Sequence, residues 1–251
     1  MTAVNTDGQL QERVRELEAE LGARRREAAE NERQLERYAA DLRETFMQER
    51  SHAQELRRSY MLTVRALASA VEARDAYTGR HAERVAAYGL RLASAYGMAL
   101  GEHPEIEFGF LLHDAGKVAV PDAILFKPGP LTVAERLIMQ QHPITGWEIV
   151  RDIEFLGMAR DVIRHHHERW DGSGYPDRLS GEAIPLSARI FAVADALDAL
   201  TTNRPYRQAS TTAQARVIIR QGTGTHFDPD VIEVFETLPD AMLERIRLEI
   251  G

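Results

Sequence analysis

Leu10, Val14, Leu17 and Leu21 are spaced by 4, 3 and 4 residues, and Ala28, Leu35, Tyr38 and Leu42 keep the same register. Between Leu10 and Tyr60 the chain is dense in Glu, Arg, Gln and Ala and contains no proline. This pattern predicts one long helix with a heptad seam. The seam is interrupted where Arg24 and Asn31 take core positions, and it fades after Leu42. A polar helix of this length has little tertiary packing of its own, so a coiled-coil homodimer is expected in preference to a solvated single helix.

The text changes near Met61. Leu62, Val64, Leu67, Ala68 and Val71 recur at helical spacing and lead into a turn at Asp75-Ala76-Tyr77-Thr78-Gly79. A second helix carries His81, Val85, Tyr88, Leu90 and Leu92. Thr132-Val133-Ala134-Glu135 has the form of a capping box, and Asp228-Pro229 reads as an N-cap followed by proline at the first helical position. Leu186–Thr202 reads as a helix with a wide apolar stripe of Ile190, Val193, Ala194, Leu197 and Leu200. No window alternates convincingly with period two, and no internal repeat is present. The expectation is an all-α chain, with residues 1–60 a dimerisation helix and residues 61–251 a second domain.

Composition narrows the function classes. The formal net charge of −8 argues against broad binding of duplex nucleic acid by counterion release. The apolar run near Met61–Val71 is broken by Arg65 and is too short to span a bilayer. The N-terminus has no basic region followed by an apolar stretch, so no secretory signal is expected. Zero cysteines exclude disulfides and thiolate ligation and agree with a cytoplasmic setting.

The candidate chemistry lies in the nine histidines. His166-His167 precede a Gly-rich turn ending in Gly174-Tyr175-Pro176, and His113-Asp114 form a second adjacent set. Neighbours on a helix diverge by about 100°, so His113 and Asp114 serve one site only near a helix end or across two ions. Imidazole and carboxylate without thiol suit Fe, Mn, Zn or Ni, which points to a multi-metal hydrolase. Asp195 and Asp198 flank an apolar stripe, where a carboxylate needs a cation or several donors. Metal ligation and an ion pair with Arg189 or Arg204 both satisfy that need.

Taken together the motifs resemble the HD-GYP subfamily of HD-domain phosphohydrolases. The matching text is Thr78-Gly79-Arg80-His81, His113-Asp114-Ala115-Gly116-Lys117, Lys127-Pro128-Gly129-Pro130-Leu131-Thr132 and Gln141-His142-Pro143. It continues through His166–Pro176, Val193–Leu200 and Arg204-Pro205-Tyr206-Arg207, covering about Leu67 to Phe235. The resemblance implies an HD-domain helical bundle with a C-terminal extension and two divalent ions, Fe or Mn. One ion would be held by His81, His113, Asp114 and Asp195, the other by Asp114 (bridging), His142, His166 and His167. A shared carboxylate agrees with ions about 3.5–4 Å apart, and hydroxide between them is accessible at neutral pH. His52, His103, His165 and His226 fall outside the matched ligand positions.

The resemblance further implies hydrolysis of cyclic di-GMP to pGpG, with possible continuation to GMP. Asp114, Lys117 and Asp198 are then the catalytic candidates, with Asp198 orienting a water or a ligand. Lys117, Tyr175, Arg204 and Arg207 are the substrate-binding candidates, the arginines gripping phosphate bidentately. The plain alternatives are solvated surface charges for Lys117 and the arginines, and a core-covering ring for Tyr175. Trp170 reads as packing, and Glu168 either caps the following turn or orients a His. Some members of this family place a Glu where this chain has Tyr77. A phenol with a pKa of about 10 ligates poorly at neutral pH, so two ions and accumulation of pGpG are expected. Alternative functions are another HD-type nucleotide phosphohydrolase, or a silent cyclic di-GMP sensor that signals through the coiled coil. An upstream regulatory protein acting in trans is a further expected partner, since no sensory domain is legible.

Overall fold

The computed structural model describes residues 4–73, 80–203 and 208–250. Eleven α-helices form among them: α1 Val4–Glu72, α2 His81–Tyr96, α3 Glu105–Leu112, α4 Asp122–Leu125, α5 Val133–Met139 and α6 His142–Val150, then α7 Ala159–His165, α8 Leu186–Thr201, α9 Thr212–Gln221, α10 Pro229–Thr237 and α11 Asp240–Ile250. Short 3-10 turns occupy Ala115–Ala119, Glu154–Leu156 and Gly181–Ala183. No strand forms among the described residues; Thr223 and Phe227 make an isolated bridge. The all-α expectation therefore holds.

The chain divides into two compact units, Met1–Ser59 and Tyr60–Gly251. In the first, the apolar seam stands in solvent, with Leu10 at 64% and Leu42 at 71% relative exposure. No described helix is long and apolar enough to cross a membrane.

In the second unit α2 and α8 pack together, α3 lies against α2 and α7, and α6 against α7 and the 3-10 turn at Ala115–Ala119. The core between them includes Val85, Leu92, Phe110, Ile163, Phe191 and Leu197. Burying such side chains contributes about 1.5–3 kcal/mol each before entropy is charged against it. α8 is buried more widely than its stripe suggests, because Phe191 also turns inward, onto Phe110 at 5.5 Å between ring centroids. The opposite holds at the end of α1. Val64 and Ala68 are buried, whereas Leu62 and Leu67 are exposed, so only one narrow face meets the core.

Local caps agree with the sequence. Thr132 and Glu135 form the reciprocal capping box of α5. Asp228 caps α10 by accepting from the Asp230 N–H, with Pro229 at the first helical position. Gly116 has a stricter requirement. A Cβ there would stand 1.9 Å from the His142 carbonyl oxygen and 2.5 Å from the Gly146 nitrogen. Only glycine permits this approach, and it brings Asp114 beside the start of α6.

Candidate metal centre

The histidines gather because most of them stand at helix ends. His81 opens α2, His142 opens α6, and His113 and His166 are the residues that close α3 and α7. Asp114 leaves helical geometry at φ −94° and ψ 10°. That break lets adjacent His113 and Asp114 face one centre, as their spacing required.

Ring orientation is fixed from behind. His113 Nδ1 donates to the Phe110 carbonyl at 2.9 Å, His142 Nδ1 to Met139 at 2.8 Å, and His166 Nδ1 to Ile163 at 3.0 Å. A ring nitrogen facing a carbonyl carries the proton, so in each neutral ring Nε2 presents its lone pair forward. His142 Nε2 and His166 Nε2 then lie 3.2 Å apart, two lone pairs confronting each other unless a cation intervenes. A proton is a poor solution. Burial and the neighbouring imidazoles hold the His166 pKa well below its ordinary value, and burial with His142 takes His167 down to about 3. Ligand atoms of Asp114, His142, His166 and His167 all lie within 4.8 Å of one another. This donor set suits a divalent ion.

Asp114 faces two ways. Its Oδ1 is 3.3 Å from His142 Nε2 and 4.0 Å from His166 Nε2. Its Oδ2 is 3.1 Å from His113 Nε2 and 2.8 Å from Lys117 Nζ. Burial opposes its ionisation, yet Lys117 and His113 hold the carboxyl well below the usual range.

The other expected group is looser. His81 Nε2 is 3.4 Å from Asp195 Oδ1, and the His81 and His113 rings lie edge to face at 5.5 Å. Among the described residues this set does not reach the mutual spacing of the first. Asp198 stands behind His81, taking Nδ1–H at 2.7 Å, and is almost wholly buried. Burial opposes its charge, but the His81 and Arg84 hydrogen bonds lower its pKa. Its ion-pair partner among the described residues is Arg84, with Nε at 2.6 Å and Nη2 at 3.1 Å, rather than Arg189. Arg189 instead pairs with Asp228. The spacing His81-x-x-Arg84, one turn on a helix, was the available signal.

The loop after His167 is held by Glu168. Its buried carboxylate accepts the Asp177 N–H at 2.7 Å and the Leu179 N–H at 3.1 Å, which decides for capping over orienting a His. Gly174 is pressed against the start of this loop: a Cβ there would lie 2.4 Å from the Arg169 nitrogen and 2.6 Å from the His167 carbonyl oxygen. Tyr175 consequently stacks on His167 at 4.7 Å between centroids. Trp170 packs under the Arg189 guanidinium, 5.9 Å away. His165 bonds Asp177, His226 stacks on Phe227, His103 pairs loosely with Glu105, and His52 is exposed, all apart from the gathered donors. Tyr77, Arg204 and Arg207 lie outside the described residues. Sequence reasoning missed Glu72, whose Oε1 accepts the Ala82 N–H at 2.6 Å.

Comparison with known proteins places this architecture. Residues 65–231 match the family described as HD domain. A 3'3'-cGAMP-specific phosphodiesterase 2 of Vibrio cholerae is 47% identical over 67% of this chain and 33% of its own length. The cyclic di-GMP phosphodiesterase response regulator RpfG of Xanthomonas campestris is 43% identical over 68% of this chain and 46% of its own. The chain thus spans between a third and a half of these relatives. A crystal structure of a cyclic GMP-AMP specific phosphodiesterase from Vibrio cholerae superposes with a TM-score of 0.51 over 73% of this chain and 53% of that one; at 21% identity it speaks to fold alone.

Proposed function

This chain belongs to the HD-domain family, with the motifs of its HD-GYP branch, and we propose that it hydrolyses a phosphodiester of a cyclic dinucleotide, cyclic di-GMP first. The observation that carries the reading is the two-sided placement of Asp114, one oxygen toward His142 and His166 and the other toward His113. On this reading Asp114, His142, His166 and His167 hold one divalent ion, and His81, His113, Asp195 and the same Asp114 a second. Iron and manganese both suit the ligands. Such ions lower the pKa of water and offset charge on phosphoryl oxygens.

The side chains supply the rest. Lys117, held on Asp114 Oδ2 at 2.8 Å, is assigned to a phosphate oxygen of the substrate. Tyr175 covers His167 and offers its hydroxyl and ring edge to the nucleotide. Burial raises the Tyr175 pKa, so the phenol stays protonated and donates. Asp198 acts through His81, fixing the ring by its Nδ1–H. Arg204 and Arg207 are assigned to the phosphates from their motif alone. Tyr77, at the position where some members carry a Glu that supports a third ion, argues for two ions and for pGpG as the accumulating product. The exposed seam of residues 1–59 is assigned to a homodimer.

Because one relative is named for cyclic GMP-AMP, both dinucleotides belong in the test. Full-length protein purified anaerobically and loaded with Mn2+ is incubated with cyclic di-GMP and with 3'3'-cGAMP, and products are resolved by chromatography. The reading expects linear pGpG from cyclic di-GMP at a higher kcat/KM than linear product from cGAMP. Preference for cGAMP would move the substrate assignment, and hydrolysis of neither by metal-loaded protein would end the enzyme reading.

A further inference from the structure

The first helical residue of α2 is His81, and that helix end lacks an ordinary cap. Arg80, at the N-cap position, adopts the left-handed region at φ 57° and makes no side-chain cap. The first N–H groups of any helix have no partner within it. Here the Ala82 N–H is taken by Glu72 Oε1 at 2.6 Å, from the last residue of α1. A side-chain oxygen at this place satisfies the orphan donor, as an N-cap acceptor ordinarily would. Val64 and Ala68, two turns and one turn earlier, are buried in the core and anchor the end of α1 that carries Glu72.

His81 is therefore fixed from two sides by carboxylates of two other helices. Asp198 on α8 holds the ring at Nδ1, at 2.7 Å. Glu72 holds the backbone one residue on. Glu72 and His81 border the same small cavity as His113, Asp114 and Lys117. A side chain that swings on an unfixed helix end cannot keep Nε2 aimed at an ion shared with Asp195, 3.4 Å away.

We propose that Glu72 is a positioning residue of the metal centre: it caps α2 from outside and so sets where His81 presents Nε2. The inference rests on the assignment of His81 as a ligand in the proposed function. It differs from a direct ligand role, because it needs a hydrogen-bond acceptor at Glu72 and not a charge.

The test uses the full chain as wild type, Glu72→Ala and Glu72→Gln. Mn2+ affinity is measured anaerobically by competition with a chelating dye, and backbone hydrogen exchange is followed over residues 81–84. Glu72→Ala should weaken Mn2+ binding about tenfold, the lower end of what losing an outer partner of a metal-binding His costs. Exchange at Ala82 should accelerate in the same variant. Glu72→Gln keeps a carbonyl acceptor and should stay within about threefold of wild type on the same scale. Wild-type affinity in Glu72→Ala, or unchanged exchange at Ala82, overturns the proposal. A fall in Glu72→Gln as deep as in Glu72→Ala overturns it in favour of direct ligation. If wild type takes up no Mn2+, the proposed function fails on its own, while exchange at Ala82 still decides whether Glu72 caps α2.

Discussion

Replacing Asp198 with Ala should be among the most destabilising single changes in the helical unit. Asp198 and Arg84 have side-chain exposures of 2% and 5%, so the pair is screened little by water. Arg84 bonds both carboxylate oxygens, at 2.6 and 3.1 Å, and His81 adds a third bond at 2.7 Å. Removing one partner of a buried ion pair costs about 3–5 kcal/mol, because the remaining charge stays in the interior. With a urea slope of about 1–3 kcal/mol/M, the midpoint should fall by about 1 M or more. Both tryptophans, Trp147 and Trp170, lie in this unit, so fluorescence of the metal-free full chain reports its unfolding without a signal from the N-terminal helix. Asp198→Asn keeps an acceptor of the same shape and should lose less. A midpoint shift worth under about 1 kcal/mol for Asp198→Ala would refute the buried pair, since exposed pairs contribute no more than that.

Three further outcomes follow from the same geometry. Gly174→Ala places a methyl 2.4 Å from the Arg169 nitrogen and 2.5 Å from Glu168 Cα, both backbone atoms, so it should cost at least the about 1–3 kcal/mol of an overpacked site and lower turnover by shifting Tyr175; wild-type turnover would count against that placement. Lys127 and the Thr132 N–H hold the Glu135 carboxyl at about 2, so the stabilisation it lends to α5 is present above the unfolded value of about 4.3 and is lost as pH falls through about 2; a Glu135 carboxyl resonance titrating near 4.3 would contradict this. Full-length protein should sediment as a dimer at micromolar concentration through the seam from Leu10 to Leu42, and a monomer would refute the coiled coil.

What was legible in the chain was whatever is encoded locally. The Thr132–Glu135 box and the Asp228-Pro229 start depend on residues within a few positions, and both form. The His113-Asp114 and His166-His167 doublets pointed to donors, and Asp114, His166 and His167 do gather, joined by His142 from the start of α6. Tertiary choices were not legible in the same way. Leu62 and Leu67 fit a helical stripe, but which face of α1 meets the core is decided by α2 and α3, and both residues face solvent. The partner of Asp198 was sought among arginines near it in sequence, whereas packing of α2 on α8 supplies Arg84 from more than a hundred residues away. Glu72 has no motif at all, because its acceptor role exists only once α1 and the start of α2 are in place.

The central claim is that Asp114 joins two ions, and metal counting tests it most directly. Wild type and Asp114→Ala are purified anaerobically, equilibrated with Mn2+, stripped of loosely held ion, and analysed for metal per folded chain, with circular dichroism confirming that the helices persist. The account predicts two ions per wild-type chain and loss of both in Asp114→Ala, because this carboxylate is assigned to each. Two ions retained by the folded variant, or a wild type that binds none, would contradict it.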